Sequence, residues 1–139
     1  MKKHALPVLV LAMVLTPMIA FAQTSNSLKA DVPFDFMVGG KTIPAGKCIV
    51  RPIGLAGGTL QVANTSDNSS TFVVSNSSES LQIAEESVLV FHKYGDRYFL
   101  SSIRRGGSAR GYQIPESTVE KELRAKNLSA PSEIQLAAK

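Results

Sequence analysis

The chain has 139 residues, one Cys, two His and no Trp, and its formal net charge is +4. This length is that of one domain of ordinary size, and the composition excludes a disordered acidic or basic tail, a collagen-like repeat and a disulfide scaffold. One Cys and two His are too few for a three- or four-ligand soft-metal site, so we expect no metal and no cofactor.

The first 22 residues have the three parts of a secretory signal peptide: a cationic start, an apolar run and small residues at a cleavage site. The cationic start is Met1–His4, the apolar run covers 6–20, and the cleavage site is Ala20-Phe21-Ala22. The run of 15 residues is shorter than the ~20 needed to span a bilayer, which favours cleavage over an uncleaved membrane anchor. We therefore expect export to the periplasm or the exterior of a bacterial cell, with no membrane span after cleavage.

Cleavage changes the size and charge of the working protein. Removal of residues 1–22 leaves 117 residues, and the loss of Lys2 and Lys3 lowers the formal net charge from +4 to +2. A charge this small does not indicate a nucleic-acid partner. Cys48 lies in an apolar strand pattern and is interpreted as core packing, with an intermolecular disulfide or reactive thiol as the alternative in an oxidising compartment.

The first half of the mature chain has the pattern of short strands separated by turns. Residues 32–38 alternate with period two and place Val32, Phe34, Phe36 and Val38 on one face of a single strand. Gly39-Gly40 is typical of a two-residue hairpin turn, because glycine tolerates the positive φ that such a turn needs. Further strands are predicted over 41–43, 47–53, 59–63 and 71–74, and polar turns over 64–70 and 75–80.

The clearest local pattern is a hairpin over residues 88–103, with its turn at Gly95-Asp96. The expected register pairs Tyr94 with Arg97, His92 with Phe99, and Phe91 with Leu100. One face then carries Leu89, Phe91, Tyr98 and Leu100, and the other carries Val88, Val90, Phe99 and Ile103. Because both faces are apolar, we expect this hairpin to be central and covered on both sides.

The C-terminal part changes to a helical pattern. Ser117 and Glu120 fit a capping box with Ser117 as the N-cap, and Glu120 and Arg124 have the spacing of a favourable i,i+4 pair. The predicted helix of about ten residues ends near Asn127, and residues 128–139 are expected to be a flexible tail. The sequence thus predicts a single β-rich domain over residues 23–127. Its expected fold class is all-β, a small antiparallel sandwich or barrel of about six strands with one short C-terminal helix.

Three segments carry a family resemblance. They are Val-Pro-Phe-Asp-Phe-Met-Val-Gly-Gly-Lys-Thr-Ile-Pro-Ala-Gly over 32–46, Tyr-Gly-Asp-Arg-Tyr-Phe-Leu over 94–100, and the helix start over 115–122. Together they resemble an uncharacterised family of short exported proteins that is numerous in acidobacterial genomes. The chain departs from that family at Cys48, where the family usually has an aromatic residue. The resemblance implies an exported β-rich domain and supplies no activity and no functional residues.

The motifs of common enzymes are missing from the sequence. There is no Gly-x-Ser-x-Gly nucleophile elbow and no glycine-rich phosphate-binding pattern. The one local charge cluster contains Arg104, Arg105 and Arg110, which could contact an anionic partner such as a surface polysaccharide, a lipid headgroup or nucleic acid. The alternative is a flexible, soluble loop.

Two functions follow as hypotheses. The preferred one is a non-enzymatic exported β domain with an envelope-associated binding or structural role, whose partner is an envelope component or an anionic polysaccharide. The other is an exported hydrolase whose site is assembled from dispersed residues around His92, together with Asp96 and either Ser101 or Ser102.

Overall fold

The computed structural model describes residues 26–54, 58–127 and 130–139. The signal-peptide prediction for residues 1–22 lies outside this part of the chain. The described residues form eleven strands and one helix in the order β1 (Leu28–Val32), β2 (Phe36–Val38), β3 (Lys41–Ile43), β4 (Gly46–Ile53), β5 (Thr59–Asn64), β6 (Ser70–Val74), β7 (Asn76–Glu79), β8 (Ser87–Tyr94), β9 (Arg97–Arg104), β10 (Arg110–Gln113), α1 (Thr118–Lys126) and β11 (Ser132–Ala138).

The strands form two sheets. The smaller sheet has the order β1-β4-β5-β6, and the larger has the order β11-β8-β9-β10-β7, with β2 and β3 attached through β9. The pairing is antiparallel except between β2 and β9. The prediction of an all-β fold with one short helix near the C-terminus is confirmed. The strand count is higher than the predicted six, because short and polar segments also pair.

Both sheets contribute to one hydrophobic core. Inward-facing side chains of the smaller sheet, such as Val50 and Leu60, belong to the same buried cluster as Phe91 and Ile103 of the larger sheet. At one corner the sheets are joined by two backbone hydrogen bonds between Lys29 and Lys139, with N···O distances of 2.7 and 2.9 Å. The buried apolar residues of both sheets thus pack against each other in the core, and the outer face of each sheet lies on the opposite side from this core.

The predicted strand over residues 32–38 is divided between the two sheets. Val32 ends β1 in the smaller sheet, while Phe36 begins β2 in the larger one. The intervening Pro33 has no N–H to donate to a ladder, so the chain bends there and changes sheet. The hairpin turn after β2 is as predicted, with φ of 57° at Gly39 and 76° at Gly40.

The register of the β8–β9 hairpin is also as predicted, with Tyr94 opposite Arg97, His92 opposite Phe99 and Phe91 opposite Leu100. A β-bulge follows, because Val90 pairs with Ser102 and one residue of β9 is left over between the two pairs. The extra residue reverses the side-chain alternation beyond it. Ile103 therefore lies on the core face with Leu89, and its prediction for the opposite face was wrong.

Helix α1 begins and ends where the sequence predicts. The Ser117 hydroxyl accepts a hydrogen bond from the backbone N–H of Glu120 at 3.2 Å, and Asn127 closes the helix. The predicted Glu120–Arg124 pair was wrong. Arg124 instead bonds Glu116 at 2.8 Å, and the Glu120 side chain turns under the helix and is buried.

Two segments expected to be irregular are strands. Residues 76–79, inside a predicted turn, form β7 and pair with β10. Residues 132–138, inside the predicted flexible tail, form β11 and pair with β8 along their whole length. In β11 every second residue faces the core, namely Ile134, Leu136 and Ala138, so this segment gains apolar burial as well as backbone hydrogen bonds.

Cys48 is a core residue, as predicted. Its side chain is 1% exposed and lies in the hydrophobic cluster between the sheets. Burial, followed by the negative charges of Asp67 and Asp31, raises the pKa of the Cys48 thiol to about 11. The side chain is therefore an unreactive thiol at neutral pH.

Candidate functional site

A polar groove with a volume of about 290 Å³ lies on the larger sheet. Its floor is the outer face of β8, β9 and β10, and its walls come from β7, the segment after it and β11. Most of its lining side chains carry hydroxyl, amide or charged groups: Ser78, Glu79, Ser80, Gln82, His92, Ser101, Ser102, Arg104, Ser108, Arg110, Gln113 and Glu133.

The groove exists because α1 covers only part of this face. In β8, Leu89 and Phe91 point into the core, so Val90 and His92 point outward. Helix α1 covers the end of the face that carries Tyr94 and Phe99, and the groove lies on the part that the helix does not cover. The predicted cover on both sides is present under the helix and at Val90, which is 2% exposed, whereas His92, Ser101 and Ser102 are only half-buried.

Three side chains form a hydrogen-bonded chain at the boundary between helix and groove. His92 Nδ1 lies 3.1 Å from Glu120 Oε1, and His92 Nε2 lies 3.2 Å from Ser101 Oγ. A carboxylate only accepts hydrogen bonds, so its contact assigns the imidazole proton to Nδ1. In the neutral imidazole Nε2 then accepts a hydrogen bond from the Ser101 hydroxyl. We call Ser101, His92 and Glu120 the relay.

The β9 bulge places Ser101 in the relay. Ser101 is the residue of β9 that has no counterpart between the Val90–Ser102 and Phe91–Leu100 pairs. In a regular strand Ser101 and Ser102 would lie on opposite faces, but both line the groove. Bulges turn side chains in this way, and they are common beside functional sites.

Tyr94 holds the buried carboxylate from the other side. Its hydroxyl donates to Glu120 Oε1 at 3.2 Å. Burial raises the pKa of Tyr94 to about 12, and the charge of Glu120 and this hydrogen bond act in the same direction. Tyr94 therefore remains a phenol that donates to Glu120 at every ordinary pH. With His92 and Tyr94 both bonded to it, Glu120 has one fixed position under the helix.

The structure separates the three predicted arginines. Arg104 and Arg110 line the groove, whereas the guanidinium of Arg105 turns away and bonds the backbone and side-chain oxygens of Asn26. Of the three arginines named from the sequence, the structure brings Arg104 and Arg110 together in the groove and does not place Arg105 there. Neighbouring residues of a strand end point in different directions, and the sequence alone does not show which one faces the groove.

The two groove arginines are only weakly paired. Arg110 lies 3.8 Å from Glu79, with both side chains largely exposed, so the ion pair is weak. Arg104 makes no ion pair with any residue in the described part of the chain. Both guanidiniums are therefore available to an anionic group of a ligand. Glu79 and Glu133 also line the groove, and because they repel negative charge they disfavour a ligand that carries many anionic groups.

The dispersed hydrolase site of the sequence analysis is partly assembled. His92, Ser101 and Ser102 meet in the groove. Asp96 lies in the hairpin turn and is not among the lining residues, and Glu120 has the place expected for an acidic partner. Sequence reasoning missed Glu120 because an acidic residue at the third helical position is already explained by capping.

Gly111 allows β10 to approach the backbone of β9 closely at the floor of the groove. A Cβ at this position would lie 2.5 Å from the backbone oxygen of Ile103 and 3.3 Å from Ser78 Oγ. Any other residue would have to displace the backbone of β9, so the groove depends on a glycine here.

Three negative findings complete the description of the site. Among the described residues, no group of three His, Cys, Asp or Glu side chains is arranged to hold a metal ion. In the same ranges, no helix is long and apolar enough to cross a bilayer. No family model, no curated protein and no solved structure matches this chain.

Proposed function

We propose that this protein is an exported β domain that binds an anionic, hydroxyl-rich component of the bacterial envelope in the groove of its larger sheet. The observation that carries the proposal is the lining of the groove, where many hydroxyl and amide side chains surround the guanidiniums of Arg104 and Arg110. Export rests on the signal-peptide pattern of residues 1–22.

The lining indicates the chemical class of the ligand. Serine and glutamine side chains both donate and accept hydrogen bonds, which suits the hydroxyl groups of a saccharide. An arginine can bind a carboxylate through two parallel hydrogen bonds. A lining that contains two arginines and two glutamates suits a ligand with isolated negative charges, such as a uronic-acid oligosaccharide, better than a polyanion such as nucleic acid.

The test is calorimetric titration of the signal-free chain with an oligogalacturonate and with a neutral cello-oligosaccharide of equal length. We expect the oligogalacturonate to bind more tightly and its affinity to fall at high salt. Arg104→Ala should weaken that binding at least about tenfold, because a charge-assisted hydrogen bond contributes roughly 1.5–3 kcal/mol.

The matched control is Arg51→Ala, which removes the same charge from an exposed position on β4 of the smaller sheet. It should leave the affinity unchanged. Equal binding of the charged and neutral oligosaccharides, or an equal loss in both arginine variants, would contradict the proposal.

A further inference from the structure

We infer that the relay makes Ser101 a nucleophile that hydrolyses short acyl esters in the groove. The inference builds on the proposed function, since the same groove holds the substrate, and it adds an activity to binding. Its basis is the continuous contact from Ser101 Oγ to His92 Nε2 and from His92 Nδ1 to Glu120 Oε1, at 3.2 and 3.1 Å.

The order of the contacts is the one that serine nucleophiles need. A general base must lie within hydrogen-bond reach of the hydroxyl, and a third group must orient that base. Glu120 is 4% exposed and is held by Tyr94 as well, so it is a rigid positioning residue. Ser101 and the Nε2 side of His92 face the groove, where a substrate can reach them.

The reaction has two balanced steps. In the first, Ser101 Oγ attacks the ester carbonyl carbon, its proton passes to His92 Nε2, and His92 returns that proton to the departing alcohol oxygen. In the second, water attacks the acyl-serine carbonyl and gives a proton to Nε2, which passes it to Ser101 Oγ as the carboxylic acid leaves. The sum is ester plus water giving alcohol plus acid, with no other reactant.

The groove also indicates the acyl group. Besides its polar residues it is lined by the small apolar side chains of Ala84, Val90 and Ala109, which suit an acetyl group better than a long chain. We assign the contact to the developing oxyanion to the side-chain amide of Gln113, which lines the groove and pairs with Ser102 in the sheet. The substrate class is therefore an O-acetylated, hydroxyl-rich compound.

The first test uses the wild-type chain without its signal peptide. Incubation with a fluorophosphonate probe, followed by peptide mass spectrometry, should place a single adduct on Ser101. Folding of a variant plays no part in this result. An adduct on another residue, or none after prolonged exposure at millimolar probe, would overturn the inference.

The second test is hydrolysis of p-nitrophenyl acetate and p-nitrophenyl octanoate. We expect the acetate to be the better substrate, and we expect Ser101→Ala and His92→Ala each to lower its rate at least about 100-fold. Ser77→Ala is the matched control, because Ser77 is an exposed serine on β7 outside the groove. A Ser101→Ala rate within threefold of the wild type would overturn the inference.

The role of Glu120 is separated from a purely structural one by the pH profile. Glu120→Gln should lower the rate and change its pH dependence, while circular dichroism confirms the fold. An unchanged pH profile would remove Glu120 from the relay. Because p-nitrophenyl acetate carries no anionic group, esterase activity without oligogalacturonate binding, or the reverse, tells which of the two proposals has failed.

Discussion

The outer faces of the two sheets are used in opposite ways. On the smaller sheet, Phe72 and Val74 of β6 are 61% and 66% exposed, and nothing among the described residues covers them. On the larger sheet, α1 covers the equivalent face at one end and buries a carboxylate there. The outer face of the smaller sheet is exposed at β6, while the outer face of the larger sheet is partly covered by α1 and carries the groove.

The difference shows how a short helix makes a site on a sheet. A carboxylate on an uncovered face would be hydrated and mobile, and its contacts would contribute little. Under α1, Glu120 is shielded from water and takes two donors from β8, so each contact is stronger and its geometry is fixed. Partial coverage also leaves an open boundary, and the groove begins there.

The largest expected effect comes from removing the buried carboxylate. Glu120→Ala leaves His92 Nδ1 and the Tyr94 hydroxyl without their acceptor under the helix, which should destabilise the fold by about 3 kcal/mol. Urea unfolding followed by circular dichroism measures this change.

Two controls sharpen the comparison between the faces. Glu122→Ala, at an exposed position of the same helix, and Phe72→Ala, on the bare face of the smaller sheet, should each change stability by no more than about 0.5 kcal/mol. If either control lowers the free energy of unfolding as much as Glu120→Ala does, the contrast between the two faces is wrong.

An intermediate effect is expected from filling the floor of the groove. Gly111→Ala forces a methyl group against the backbone oxygen of Ile103 and should cost about 2 kcal/mol in thermal or urea unfolding. Gly58→Ala, beside β5 of the smaller sheet, meets no atom within 4 Å and should be nearly neutral. An equal loss of stability in Gly111→Ala and Gly58→Ala would show that contact with the backbone of β9 does not cause the destabilisation.

Among the substitutions at the helix-covered face and the groove, the smallest effect at neutral pH is that of Tyr94→Phe. Loss of the hydrogen bond to Glu120 should cost about 1 kcal/mol. The pKa of Tyr94 is raised in the folded state from 10.0 to about 12, so its contribution is complete below pH 10 and is lost as the pH rises toward 12.

The pH dependence provides the measurement. The stability difference between the wild type and Tyr94→Phe should shrink across that range in urea titrations. A difference that stays constant from neutral to strongly alkaline pH would mean that the phenol is not shielded by the helix.

Much of the fold could be predicted because it depends on neighbouring residues. The positive φ of Gly39 and Gly40, the hairpin register around Gly95 and the Ser117 cap all follow from side chains within a few positions of each other. The same local reasoning failed for β7, whose four residues are polar, show no apolar alternation and pair with β10.

The site could be predicted only in part. Sequence reasoning named His92, Ser101, Arg104 and Arg110, but it chose Asp96 as the acid and included Arg105 in the charge cluster. Asp96 is close to His92 along the chain and lies in a turn, whereas Glu120 is 28 positions away and is brought to His92 by the packing of α1. The positions of two residues in the sequence do not show whether tertiary packing will bring them into contact.

The sequence by itself determined the all-β class, the hairpin turns, the helix boundaries and the buried position of Cys48, because alternation, glycine placement and capping act over short distances. Only the tertiary structure decided that a bulge turns Ser101 toward His92, that residues 132–138 complete the larger sheet, and that α1 buries Glu120. Those outcomes depend on which distant surfaces pack together, and the free energy of that packing is a property of the whole core.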